Sequence, residues 1–189
     1  LPEASVIVNP CQPDCSFGSK SLCGAGVAFY TMLMTRSALR ERGVFDAHTQ
    51  PRLDGLMDLV ALATVADVVK LDENNRRLIA HGLDRIRSDF GNPGIKALFA
   101  VAGRSHQHAT STDLGFTVGP RINAAGRLSD MTIGIECLLT DDRDRATQLA
   151  GELHRINQER RQVESSMVDE AETKIATRDV SDNVMVVFD

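Results

Sequence analysis

The sequence predicts an α/β fold that is predominantly helical. Two short runs, at 6–8 and 184–188, have the apolar, β-branched composition of strands. Much longer stretches have apolar residues at spacings of three and four, the period of an amphipathic helix. These helical stretches are 22–40, 53–65, 72–86 and 141–177.

The first half of the chain is predicted to contain one strand and four helices. Asn9 and Pro10 end the strand, because proline and the residue before it disfavour its continuation. Asp72 is expected to cap the third helix through its carboxylate. Pro93 is expected to begin the fourth, since the first turn of a helix leaves its amide hydrogens unpaired in any case.

The second half is predicted to contain loops, a short helix and one very long helix. Residues 103–113 are polar and predict a loop, followed by a turn rich in Gly and Pro. Ser129 is expected to cap a short helix over 133–139 and Thr140 the long one. About 35 residues at 1.5 Å each give a helix of roughly 50 Å. Its apolar stripe is thin, so it should lie on a surface or bridge two domains.

The composition is that of a globular protein and excludes several other classes. The chain has 189 residues, 42% hydrophobic and 25% charged, with a net charge of −5. These values exclude a disordered tail, a collagen-like chain and a coiled-coil rod. The sequence contains neither a run of about 18 apolar residues nor a signal-peptide pattern, so we expect no membrane span and a cytoplasmic location. The start at Leu1 and the end within an apolar run predict an internal piece of a longer protein.

Asp67 stands out because it is the only charged residue between Asp58 and Lys70. Burying an ionised carboxylate is costly unless donors or a cation compensate its charge. One interpretation is a carboxylate at a helix end that accepts hydrogen bonds from backbone amides. The other is a ligand of a hard divalent cation, which prefers oxygen. The sequence favours neither.

A second unusual segment, 119–128, combines small residues with Arg121, Asn123 and Arg127, and no acidic residue occurs between Asp113 and Asp130. The planar guanidinium matches phosphate oxygens, and small residues let a ligand approach the backbone. A turn braced by pairing of its arginines with the acidic residues that follow is the alternative. We favour the phosphate-binding interpretation. The four cysteines lack the spacing of a zinc site, which favours reduced thiols.

Five segments in series carry a resemblance to a known family: 7–13, 22–29, 58–69, 119–128 and 157–161. The fourth, Gly-Pro-Arg-Ile-Asn-Ala-Ala-Gly-Arg-Leu, is the most specific. Together they resemble the RecJ family of single-strand-specific DNA exonucleases, in the DHH phosphoesterase superfamily. The resemblance implies that 1–140 form the C-terminal part of a DHH domain, that 141–178 form a connecting helix, and that 179–189 begin a second, DHHA1-like domain.

The resemblance also implies a function for the parent protein. It would hydrolyse single-stranded DNA from the 5′ end with Mn²⁺ or Mg²⁺, in DNA repair and recombination, with a helicase or a single-strand-binding protein as partners. Asp67 would be a catalytic metal ligand, and Arg121, Asn123 and Arg127 would contact the DNA backbone. The chain alone, with one metal ligand, is expected to be inactive. The alternatives are a DHH-type phosphoesterase of oligonucleotides or cyclic dinucleotides, and a helical nucleic-acid-binding module without catalysis.

Overall fold

The structure is a computed structural model that describes residues 3–128 and 130–176. Within these ranges every regular element is helical, which agrees with the predominantly helical prediction. The strand predicted at 6–8 is wrong, because this segment has no regular secondary structure. A strand requires a neighbour to pair with its backbone groups, and composition alone does not provide one. The predicted strand at 184–188 and the predicted cap Ser129 lie outside the described residues.

Eight α-helices follow one another in these ranges. They are α1 (Gly24–Glu41), α2 (Met57–Ala66), α3 (Glu73–Arg87), α4 (Pro93–Val101), α5 (Ser111–Asp113), α6 (Gly119–Leu128), α7 (Thr132–Leu139) and α8 (Arg143–Ala176). Two of the predicted helix starts are confirmed. The Asp72 carboxylate accepts a hydrogen bond from the backbone N–H of Asn75 at 2.9 Å, and Pro93 is the first residue of α4.

The turn predicted at the Gly-Pro segment is wrong, because this segment is part of a continuous helical stretch. Thr110 and Asp113 form a capping box that starts α5, and a π-helical segment (Leu114–Val118) joins α5 to α6. Pro120 therefore lies where the backbone hydrogen bonds change from the π-helical to the α-helical pattern, and the pattern is already irregular at this point. Local composition predicts a turn here, but the surrounding helices stabilise a helix.

The cap predicted for the longest helix is displaced by two residues. The Thr140 hydroxyl accepts only from the backbone N–H of Asp142, and Thr140 itself ends α7. The Asp142 carboxylate accepts from the backbone N–H groups of Asp144 and Arg145, at 2.8 and 3.2 Å. Asp142 is therefore the residue that caps the start of α8, because a carboxylate can accept both bonds.

The main core lies between α2, α3, α4 and the first half of α8. Its largest fully buried side chains are Phe99, Ile86, Ile95, Leu98, Leu114 and Leu153. A smaller apolar cluster around Phe29 and Leu78 packs α1 against α2 and α3. No helix within the described ranges is long and apolar enough to cross a membrane.

The long helix α8 has two different halves. Between Ala146 and Asn157 it buries side chains against α4, α6 and α7. All side chains from 161 to 170 are exposed, including those of Val163 and Met167. The first half agrees with the expectation that the helix lies on a surface. That its second half connects to a further domain stays a prediction.

Close packing of α3 on α2 depends on Gly82. A Cβ atom at this position would lie 2.2 Å from the Cβ of Ala61 and 2.4 Å from the carbonyl oxygen of Met57. We expect Gly82→Ala to lower the free energy of unfolding by about 2–3 kcal/mol, as overpacking does. Gly151→Ala in α8 is the matched control, because its added Cβ would meet no atom within 4 Å beyond its chain neighbours and the backbone of its own helix. It should raise stability by up to about 1 kcal/mol through helix propensity. Urea denaturation followed by circular dichroism measures both, and equal effects would contradict the close contact.

Candidate functional site

Asp67 occupies the C-terminal end of α2, and its side chain is exposed. Its backbone N–H donates to the Ala63 carbonyl at 2.9 Å, which closes the last turn of the helix. Within the described residues, its carboxylate makes no hydrogen bond or ion pair. The interpretation of a carboxylate bonded to backbone amides therefore has no support in these residues, and the oxygens are accessible to a cation or a ligand.

The residue after Asp67 has an unusual backbone conformation. Val68 has φ = +54°, the left-handed region that β-branched residues rarely adopt, and its side chain is 88% exposed. Such a conformation costs of order 1–3 kcal/mol, and residues of this kind cluster at functional sites. Here it sets the direction in which the chain leaves α2, immediately beside the exposed carboxylate of Asp67.

The two segments that the sequence singled out lie side by side in the structure. A Cβ atom on Gly115 would lie 3.2 Å from Cγ1 of Val65, and one on Gly119 would lie 3.6 Å from the Cβ of Ala66. The last turn of α2 therefore packs against the π-helical segment and the start of α6. The glycines of this region allow two helices to approach each other, and this contact places Asp67 next to the Gly-Pro-Arg segment.

Arg121 is buried, with 7% of its surface exposed, and it faces α8. Its Nη1 donates to the Thr117 carbonyl at 2.5 Å, and its Nε donates to Nδ1 of His154 at 3.1 Å. Burial lowers the pKa of Arg121, and the charges of Arg161 and Arg104 lower it further. Arg121 thus holds the π-helical segment and α6 against α8, and none of its hydrogen bonds to the described residues goes to a carboxylate.

Asn123 and Arg127 lie on a different face of α6 from Arg121. They are four residues apart, so their side chains share one side of the helix, and both are exposed. The structure thus brings Asn123 and Arg127 together and separates them from Arg121. Arg127 makes no ion pair within the described ranges, and the Asp130 carboxylate is bonded to Thr132 instead. The turn braced by acidic partners is therefore not observed there.

His154 is a residue of this site that the sequence did not indicate. Its Nδ1 accepts from Arg121, so the imidazole is neutral and carries its proton on Nε2. Burial is the largest cause that lowers the pKa of His154, and the charges of Arg121 and Arg161 lower this pKa further. One turn further along α8, Asn157 is 1% exposed and its Oδ1 has no partner among the described residues. The sequence signal that could have indicated His154 is its position three residues before Asn157, on the buried face of an amphipathic helix.

The lowered pKa of His154 predicts a pH dependence of stability. The folded-state pKa lies below the ordinary value of 6.5, so the contribution is complete above about pH 6.5 and is lost as the pH falls below it. Protonation of Nδ1 removes the acceptor for Arg121. We expect His154→Gln, which does not titrate and can accept the same bond, to reduce the decrease in melting temperature between pH 7 and pH 5.

His106→Gln provides a comparison for this prediction. Burial also lowers the pKa of His106, so His106→Gln should remove the part of the pH dependence that His106 contributes. Effects at independent sites add, so the double variant should show the sum of the two reductions. An unchanged pH dependence in His154→Gln would contradict the hydrogen bond to Arg121.

The described residues do not form a complete metal site. They contain no group of three or more His, Cys, Asp or Glu side chains that could hold an ion. The cysteines are free thiols, and burial raises the pKa of Cys137 to about 11, which opposes the thiolate that zinc requires. A hard divalent cation takes about six oxygen ligands, of which Asp67 could provide one or two.

Comparison with known proteins identifies close relatives, although no family model matches. The chain is 53% identical over 171 residues to the single-stranded-DNA-specific exonuclease RecJ of Haemophilus influenzae, and 53% identical over 175 residues to that of Escherichia coli. It is 33% identical over 187 residues to the Bacillus subtilis protein of the same name. These alignments cover 90%, 92% and 99% of this chain. The chain spans 30%, 30% and 22% of the length of these relatives.

Solved structures agree with these relatives. RecJ from Thermus thermophilus in complex with Mg²⁺ matches with a TM-score of 0.66 and 35% identity, over 84% of this chain and 23% of that one. An exonuclease RecJ bound to manganese matches with a TM-score of 0.68 and 36% identity, over 85% of this chain and 37% of that one. The relatives found by sequence and those found by structure carry the same name, so this chain belongs to the RecJ family and matches one part of the length of its members.

Proposed function

We propose that this chain is part of a metal-dependent exonuclease that hydrolyses single-stranded DNA from its 5′ end. The observation that carries the proposal is the accessible carboxylate of Asp67, placed by helix packing beside the Gly-Pro-Arg segment. The relatives are named single-stranded-DNA-specific exonucleases. The same proposal includes a role in DNA repair and recombination, with a helicase or a single-strand-binding protein as partners.

Asp67 is proposed to be one of several ligands of the catalytic metals. Solved relatives contain Mg²⁺ or Mn²⁺, which prefer the carboxylate oxygens that Asp67 offers. A pair of such ions activates water and stabilises the leaving oxygen of a phosphodiester. Asp67 is suited to this role because it is exposed and makes no competing bond to the described residues.

The geometry of α6 suggests different tasks for its polar residues. Asn123 and Arg127 are exposed on one face, and we assign them the contacts to backbone phosphates. Arg121 donates to Thr117 and His154, so its first task is to hold α6 against α8. Its Nη2 makes no hydrogen bond to the described residues, which leaves that end of the guanidinium for a phosphate. Phosphate contacts position a strand without reading its sequence.

Parallel nuclease assays of this chain and of the full-length protein that contains it would test the proposal. The full-length protein should release nucleotides from the 5′ end of labelled single strands with Mn²⁺, and the 189-residue chain should release none. A nucleic-acid-binding module would instead bind single strands tightly, with a steep salt dependence, and show no hydrolysis in either form. Hydrolysis by the short chain that is abolished by Asp67→Ala would overturn the expected inactivity of this segment.

A further inference from the structure

The π-helical segment presents one aromatic side chain to solvent. Phe116 is 76% exposed, whereas Leu114 and Val118 on either side are fully buried, and Thr117 is nearly so. Single exposed apolar residues are common at protein surfaces and by themselves indicate nothing. Phe116 differs because of the element that carries it. A π-type turn inserts an extra residue into a helix, changes the direction of its side chains, and occurs frequently at functional sites.

The segment that carries Phe116 lies beside the candidate site. The residue before it, Gly115, faces Val65 in the last turn of α2, and Asp67 follows two residues after Val65. Val68, which follows Asp67, is also apolar and strongly exposed, and it has the left-handed conformation. Two exposed apolar groups therefore lie on the two segments that meet beside the accessible carboxylate.

The charges on this part of the chain are compatible with a polyanion. From Leu114 to Leu128 the helical stretch contains two arginines and no acidic residue. Asp113, at its start, is paired with Arg104 at 2.8 Å and bonded to Thr110. A negatively charged strand therefore meets no unpaired carboxylate on the helix that carries Phe116.

We propose that Phe116 is a stacking platform for one nucleobase of the single strand. This inference rests on the proposed function and adds a base contact to it. Stacking on an aromatic ring tolerates every base, because every base has a π face, and it requires a base that is free of a complementary strand. Phe116 would thus contribute to the preference for single strands while Asn123 and Arg127 hold the backbone.

The test measures binding of 5′-phosphorylated single strands by the full-length protein without divalent cations, so that no hydrolysis occurs. Phe116→Ala is expected to weaken binding about five- to a hundredfold, the range found when stacking aromatics are removed. Phe116→Trp should retain binding, because it keeps a π face. Phe90→Ala is the matched control. Phe90 is similarly exposed, at 81%, but it lies in the loop between α3 and α4, so this change should leave binding unchanged.

Two further readouts separate stacking from other roles. A single abasic position in the strand should weaken binding to the unmodified protein and have no further effect on Phe116→Ala, since the two changes remove the same contact. The dependence of binding on salt concentration should be unchanged in Phe116→Ala, because no phosphate contact is lost.

Either of two results would overturn the inference. One is that Phe116→Ala binds single strands as the unmodified protein does. The other is that Phe116→Ala lowers the melting temperature of the full-length protein and Phe116→Trp does not restore binding, which would place Phe116 in a packing contact with the rest of that protein. The nuclease activity of the unmodified protein tests the proposed function separately, so the failure of one is distinguishable from the failure of the other.

Discussion

Asp67→Ala in the full-length protein is expected to lower kcat for hydrolysis of single strands by at least about 10²–10³-fold, the loss typical of removing one group that stabilises transition-state charge. Binding of DNA should change little, because the strand is held by other residues. Stability should stay within about 0.5 kcal/mol, as at other exposed positions, since the carboxylate has no partner among the described residues. Single-turnover kinetics with saturating Mn²⁺, together with thermal melting, measure these quantities.

Asp141→Ala is a matched control, because Asp141 is also an exposed carboxylate but lies before α8. It should leave the rate unchanged. Asp67→Cys gives a second, more specific test. A thiolate is a softer ligand than a carboxylate and binds Mn²⁺ better than Mg²⁺, so activity should return in part with Mn²⁺ and not with Mg²⁺. Near-normal turnover of Asp67→Ala would show that this carboxylate is not a metal ligand.

Arg121→Ala and Arg127→Ala are expected to have different effects on stability, although both residues belong to the same short signature. Arg121→Ala in the 189-residue chain should lower the free energy of unfolding by about 2–4 kcal/mol. It removes a buried side chain and leaves the Thr117 carbonyl and His154 Nδ1 without their donor. Arg127→Ala should leave the melting temperature unchanged, because Arg127 is exposed and makes no ion pair within the described residues.

The change at the exposed residue, Arg127→Ala, is expected to affect DNA binding instead of stability. In the full-length protein, Arg127→Ala should weaken binding of all single-stranded sequences alike and lower the salt slope by about 0.7, the value for one phosphate contact. Arg127→Lys should restore part of the affinity, since a point charge lacks the planar fork. An unchanged melting temperature of Arg121→Ala would contradict its bracing role. A clear decrease for Arg127→Ala, with unchanged DNA affinity, would contradict the phosphate assignment.

Features that depend on neighbouring residues were predictable from the sequence. The period of apolar residues located α1, α2, α3 and α8, and Asp72 and Pro93 marked the starts of α3 and α4, because caps act within a single turn. Asp67 and the 119–128 segment were recognisable as unusual by their charge and composition. The family resemblance also followed from motifs alone, and the relatives confirm it.

Features that depend on distant residues required the tertiary structure. Composition predicted a turn at the Gly-Pro segment, but packing of Gly115 and Gly119 against α2, and of Arg121 against His154, stabilises a π-helical segment and α6. A helix separates residues that are two or six positions apart in the sequence onto different faces. For this reason only the structure could assign Arg121 to the interior and Arg127 to the surface. The sequence by itself determined which residues are unusual in charge and composition, because those properties are local, and tertiary packing decided which of them are buried and which are exposed.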